Sequence, residues 1–303
     1  MILDNDGQPV WLNLLHNENL DVMDFKAQTY KGETVLTWWV GHHTGYGQGE
    51  YVICDSSYRE IKRLRAGNGM KGDHHEFLIS PQDTALILIY NPVRRDLSSI
   101  GGVKNDTVWQ CIVQELDIES GEVIFEWHSL EHVELSEPRT RPYDHLHTNS
   151  IDILDKDHLL ISARAKSTVY KLDRRTGEVV WRLGGEKSDF EMGPGTMFAY
   201  QHDARPRSDG TITIFDNGSP STVEQSRGIV VEVDEDAISA TLVREYTHPD
   251  KLFSATQGNL QVLPNGNVFV GWGSSPVISE FNHDGELLFS ASFPTEGETY
   301  RAF

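Results

Sequence analysis

The sequence predicts an all-β fold, a β-propeller of four-stranded antiparallel blades, and three observations carry that prediction. A turn of the form D-x-x-G followed by a β-branched or aromatic run recurs along the chain. Short segments that are apolar at alternate positions, the pattern of half-buried strands, precede its copies. Convincing long amphipathic helices are absent. The copies are separated by roughly 50 to 60 residues, the period of a propeller blade rather than of a helical solenoid.

The strong copies are DNDGQPVWL from Asp4, DIESGEVIFEW from Asp117, DRRTGEVVWRL from Asp173 and NHDGELLFSASF from Asn282. Two weaker ones, DSSYREIKRL from Asp55 and DEDAISATLVREY from Asp234, fill the gaps and make six. Five whole units begin near Asp21, Asp73, Asp144, Tyr200 and Ser254. The third reads HTNSIDIL, HLLISARA and STVYKLD, then VVWRLGG: four strands divided by Asp, Lys and Gly turns. The stretch from Lys187 to Tyr200 is irregular, broken by Gly193, Pro194 and Gly195. DNDGQPVWL stands alone at the front and reads as the outermost strand of a blade whose first three strands are missing, or as completing another blade. The expectation is a single propeller over residues 1–303, with about six blades of which five are complete, and a native polypeptide that extends upstream of Met1.

A chain of this length supports a large single domain. Its net charge of −20 argues against a nucleic-acid partner, because phosphate binding needs a Lys/Arg patch and none is visible. The two cysteines, Cys54 and Cys111, lie in unrelated segments without metal-ligand spacing; one bridge between them is allowed but not required. No window approaches the roughly 18 uninterrupted apolar residues of a membrane span, and MILDNDGQPVW lacks the features of a signal peptide.

Blade geometry gathers the candidate site. The first strand of each blade lies closest to the central channel, so the starts of successive first strands face one another across the axis. Those starts fall near Asp24, His75, His147, His202 and Gln257 to Asn259, with Asn149, Asp203 and Asn259 close by. Convergent polar groups in a concave site are the functional candidate. The other histidines weighed, His16, His128, His132, His158, His248 and His283, lack this repeat context and read as surface residues. His42 and His43 fall in a glycine-rich loop from Gly41 to Gly49, which does not follow a strand and open a helix as a phosphate-cradling loop would. Trp181 reads as packing between blades.

The runs HTNSIDIL, LLISARAKSTVYKLDRRTGEVVWRLGG, QHDARPRSDGTITIFDNG and LPNGNVFVGWGSSPVISEF resemble the arylsulfotransferase family in its fungal and actinobacterial branch, over about Thr34 to Phe293. The resemblance implies a propeller with its active site in the central channel, and an extracellular or periplasmic setting. It also implies transfer of a sulfuryl group from an aryl sulfate to a phenol through a histidine, with further histidines, an asparagine and an arginine holding the sulfuryl oxygens. By motif, His147 and His202 match two channel histidines and Arg227 the arginine. The nucleophilic histidine of a later blade has no match, because SATQGNLQVL places Gln257, Gly258 and Asn259 there, and an amide is a poor nucleophile.

The candidate catalytic residues are therefore His147, His202, His75 and Arg164. The candidate substrate-binding residues are Asn149, Asp203, Arg227, Gln257 and Asn259. Other chemistry suits the same groups. Two imidazoles with Arg164 and neighbouring amides fit β-elimination from a uronic-acid glycan, and a non-catalytic propeller that binds an anion or glycan is a third reading. Three histidines with Asp203 or Glu76 offer metal ligands, but no H-x-H or H-x3-H pairing supports it; neither metal nor cofactor is expected. The expected partner is a small anionic substrate or an acidic glycan.

Overall fold

The computed structural model describes residues 1–4, 6–12, 19–136, 142–219, 224–293 and 299–303. Five blades of four antiparallel strands follow one another along the chain, the second and fourth each extended by a short parallel strand, Tyr143–Asp144 and Glu191–Met192. Blade one is Asp21–Tyr30, Glu33–His43, Gly47–Cys54 and Glu60–Leu64; blade two is Phe77–Ile79, Thr84–Arg95, Asp106–Asp117 and Val123–His128. Blade three is Thr148–Ile153, His158–Ala163, Thr168–Asp173 and Val179–Gly184. Blade four is His202–Pro206, Thr211–Asp216, Arg227–Asp234 and Ser239–Tyr246, and blade five is Asn259–Val262, Val268–Gly271, Val277–Phe281 and Leu287–Ser292. Among the described residues the only α-helix is the single turn Ser129–His132. The all-β propeller expectation is met, with five blades.

The repeated turns share one physical cause. In each, the leading Asp or Asn side chain accepts a backbone N–H from residues just ahead, a local turn the chain makes before any sheet forms. Asp55 accepts from Ser57 and Arg59, Asp173 from Arg175 and Thr176, Asp234 from Asp236 and Ala237, and Asn282 from Glu286. Glycine takes the left-handed position in the strong copies, at Gly7, Gly121, Gly177 and Gly285. Tyr58 and Ile238 hold that conformation in the weaker two, at φ 61° and 53°, which is why those copies read faintly.

The sixth copy does not make a blade. Pro9–Trp11 pairs with Ile2–Leu3 in a two-stranded hairpin, and the Trp11 ring stacks on Phe25 and Tyr58 of blade one. An Asx turn closes any hairpin, so counting such turns overcounts blades by one. The segment 41–49 also departs from expectation. It is no loop, because its strands run to His43 and resume at Gly47. Its glycines serve packing: a Cβ on Gly49 would fall 2.3 Å from the Val40 carbonyl and 2.6 Å from the Trp39 indole.

Apolar side chains fill the seams between blades one and two, two and three, three and four, and four and five. Trp181, packed edge-on to Phe190, lies in the third of these seams. Between blade five and blade one the connection is polar. Asn259 exchanges hydrogen bonds with the backbone of Ala302, and Arg301 reaches Asp24 at 2.7 Å. The two cysteines are free and buried apart, Cys111 in the seam of blades two and three and Cys54 in a separate cluster of blade one with Trp11. His248, expected on the surface, is buried against the Trp272 edge and hydrogen-bonds Ser290. His283 is exposed, and His16 lies outside the described residues.

Candidate functional site

The first strands reach the axis through a distorted backbone. Left-handed φ values recur at Asp24, His147, Asp203 and Gln257, and pairing shifts register at Met23/Lys26, Thr148/Ser150 and His202/Arg205. Bulges of this kind re-aim side chains, and strained non-glycine residues concentrate at functional positions.

Two layers of side chains result. In the outer layer the His75 and His147 rings stand 5.1 Å apart at 82°, and His74 lies 4.0 Å from His75. Each of the central pair is backed by a carboxylate: Asp73 holds His75 Nδ1 at 2.5 Å, and Asp144 holds His147 Nδ1 at 2.5 Å. The Nε2 atoms of both have no protein partner among the described residues. Asp73 is itself fixed by the Gly47 and His75 amides, while Trp39 and Tyr51 bond the carbonyls of Gly72 and Asp73. Aromatic rings wall the pair: Tyr46 at 6.2 Å and Tyr90 at 6.0 Å from the His147 ring, and Tyr300, whose hydroxyl donates to the His75 carbonyl.

His202 is bound differently. Its Nδ1 meets Asn217 Oδ1 at 2.7 Å, and its Nε2 accepts the Gln257 amide at 3.2 Å. Both nitrogens are occupied in a neutral tautomer, so this imidazole ties blade four to blade five. Arg164 begins the turn after His158–Ala163, where its amide donates to the His147 carbonyl. Its guanidinium lies 5.1 Å over the Tyr200 ring and bonds the Ala255 carbonyl, with Nε buried and unpartnered.

The inner layer is ionic. Glu76 receives Lys26 at 2.6 Å, Arg205 at 2.6 Å and Arg301 at 3.2 Å, while Asp24 and Asp203 complete the cluster. Beyond it an axial cavity of about 470 Å³ is lined from all five blades. Of the predicted site residues, His75, His147 and Arg164 meet in the outer layer, and Asp203 falls in the inner one. Asn149 Nδ2 donates to the Gln201 carbonyl, and Asn259 holds the tail. Gln257 gives its backbone to His202 and Asn217. Arg227 is not gathered with them: its guanidinium is taken by Asp216, Glu245 and the carbonyls of Gly195 and Met197. Asp73, Asp144, Tyr46, Tyr300 and Arg301 were missed. The D-H-H and D-H-L-H spacings were the available signal for the two carboxylates; Tyr300 and Arg301 lie outside the repeats and gave none.

Asp73, His74 and His75 place donor atoms within 4.8 Å of one another. The Asp73 oxygens already accept from Gly47 and from the His75 amide and ring.

Burial sets the charge states. It drives the pKa values of His74, His75 and His202 well below that of a free imidazole; His75 adds to the effect at His74, His147 at His75, and Arg164 at His202. At Asp144 burial pulls upward, but hydrogen bonds from His147 and Tyr46 outweigh it and hold the carboxyl below its ordinary value. The three neutral histidines link stability to pH. Unfolded, they take up protons near pH 6.5; folded, they do not, so stability is full above that value and falls as the pH drops through it. The slope is at most about 1.4 kcal/mol per pH unit for each histidine. Melting temperature should be level above about pH 7 and decline from there to about pH 5.5; a curve level throughout would contradict neutral buried imidazoles.

An Asp-backed imidazole with a free Nε2 can act as nucleophile or as general base, and a neighbouring guanidinium can neutralise an anion. Known structures agree on the fold. A protein of unknown function from Bacteroides caccae superposes with a TM-score of 0.58 at 14% identity, covering 98% of this chain and 90% of that one. The β-propeller domain of Myceliophteria thermophila Cps50 (Swd1) gives 0.50 at 13%, covering 90% and 88%. No curated protein matches significantly. The sequence model of arylsulfotransferase (ASST) matches residues 26–294, nearly the whole propeller, and the chain belongs to that family.

Proposed function

We propose that the protein transfers a sulfuryl group from an aryl sulfate to a phenol, with His147 as nucleophile and His75 as acid–base partner. The observation that carries this reading is the pair of Asp-backed imidazoles 5.1 Å apart with both Nε2 atoms open. His147 answers the missing histidine of the later blade, where Gln257 stands.

In the first half, His147 Nε2 attacks sulfur: the N–S bond forms, the S–O bond to the ring breaks, and the aryl oxide leaves with the electron pair. Asp144 keeps the proton on Nδ1 and stabilises the cation formed on the ring, as a buried carboxylate does for a catalytic histidine. Arg164, which has no carboxylate partner among the described residues, is the group suited to the sulfuryl oxygens. In the second half, the acceptor hydroxyl gives its proton to His75 Nε2 while its oxygen bonds sulfur, and the N–S pair returns to His147. His75 then gives that proton up to solvent, and the departed aryl oxide draws its own proton from water according to the pH.

Mixing the protein with 4-nitrophenyl sulfate alone should yield intact protein heavier by one sulfuryl group, with a burst of nitrophenol. Added phenol should remove the adduct and release phenyl sulfate. Steady turnover with no protein-bound sulfuryl group on rapid quenching would overturn the covalent route.

A further inference from the structure

A lateral cavity of about 890 Å³ opens beside Asp144 and Arg164, between the exit of blade two, blade three and residues 197–200. Its size suits a drug-sized ligand, and Tyr143, Phe198 and Tyr200 give it aromatic walls. Its charges are unevenly matched. Arg182 pairs with Asp189, and Lys187 with Glu134. Arg164 and Lys166, on one turn, have no ion-pair partner among the described residues. Lys166 Nζ is held by neutral oxygens only, Ser136 Oγ and the Tyr143 hydroxyl at 3.2 Å, 5.7 Å over the Tyr143 ring. In a chain with 46 carboxylates against 26 cations, two half-buried cations without an ion-pair partner among the described residues stand side by side on one cavity wall.

We propose that this cavity is the acceptor subsite and that it selects phenols bearing an anionic substituent, the ring lying between Tyr143 and Tyr200 and the anion answered by Lys166. The inference rests on sulfuryl transfer for its chemistry and on the cavity for its selectivity. Arg164 lines the cavity and its backbone amide bonds the His147 carbonyl, which sets its guanidinium nearer the nucleophile's strand; it is given to the sulfuryl group, and Lys166, two residues further along the turn, to the substituent. An ammonium held by a serine and a tyrosine hydroxyl keeps at least one N–H for a carboxylate.

The test compares 4-hydroxybenzoate with its uncharged analogue 4-hydroxybenzyl alcohol, by calorimetric titration and as acceptors, in the wild type, Lys166→Met and Lys166→Arg. The wild type should bind the carboxylate about tenfold to a hundredfold more tightly, the value of a charge-assisted hydrogen bond, and kcat/KM should show the same preference. Lys166→Met should abolish the preference and Lys166→Arg retain most of it, with all three melting alike. Equal binding of the two ligands by the wild type, or a preference that survives Lys166→Met, overturns the subsite. Discrimination in binding without transfer to either phenol keeps the subsite and sinks the sulfuryl-transfer reading instead.

Discussion

His147→Ala should lower turnover by about ten-thousandfold or more while leaving the melting temperature close to that of the wild type. Both halves follow from how this ring is held. Its only side-chain hydrogen bond among the described residues runs to Asp144, which Tyr46 also contacts, so removing the ring strips one bond from a carboxylate that keeps another. The chemistry loses the atom that takes the sulfuryl group; loss of a positioned acid or base costs about 10² to 10⁴, and loss of a nucleophile more. Asp144→Asn should give an intermediate fall, because an amide oxygen can still orient Nδ1–H but carries no charge to match the sulfated ring. His202→Ala offers the contrast. Both nitrogens of that ring are spent on Asn217 and Gln257, so its removal should lower the melting temperature along with the rate. Wild-type rates in His147→Ala, beside a dead His75→Ala, would exchange the two roles; wild-type rates in both would end the mechanism.

The propeller was legible because each outer-strand turn is a local event. An Asp or Asn at the first position and a glycine three or four residues on leave a mark that survives without any knowledge of the sheet. Blade number was legible to within one for the same reason: the turn at Asp4 is formed like the others, and only tertiary packing of Trp11 on Phe25 shows that its strand belongs to a hairpin. The convergence of His75 and His147 follows from repeat position, which is a property of sequence spacing. Its depth does not. Asp24 and Asp203 occupy comparable positions yet fall among cations in the inner layer, because their neighbours Lys26 and Arg205 pull them there. Arg227 failed as a site residue for a similar reason: Asp216 precedes Asn217 on the adjacent strand and claims the guanidinium. The tail is the least readable part. Nothing in TYRAF marks it as a strand or a repeat, and the burial of Arg301 is set by acids more than 90 residues away in the chain.

Glu76→Gln should destabilise the protein by about 3–5 kcal/mol, the usual consequence of removing one member of a buried ionic network. The substitution keeps the shape of the side chain and changes only its charge and one of its oxygens, so a packing defect cannot account for the loss. Three cations, Lys26, Arg205 and Arg301, converge on this one carboxylate, and Arg301, whose side chain is 2% exposed, also spans Asp24, Asp203 and the Asn149 carbonyl. Taking away the shared charge removes the one carboxylate that all three cations contact, leaving Arg205 with Asp203 and, at 3.5 Å, Asp152, and places an NH₂ group against an ammonium or a guanidinium. Burial would raise the Glu76 pKa, but the charges of Arg205, Arg301 and Lys26 prevail and hold it well below the ordinary carboxylate range. A depressed carboxyl contributes stability above its unfolded pKa, about 4.3, and loses it as the pH falls through the folded value. The gap between wild type and Glu76→Gln should therefore be full at pH 7, begin to narrow near pH 4.3 and go on narrowing as the pH falls toward the folded value. A gap that is already small at neutral pH would mean that this layer, which joins blades one to four and the tail, draws its strength from packing rather than from charge. In that case the tail carrying Arg301 and Tyr300 would hold the floor of the histidine pair by shape alone.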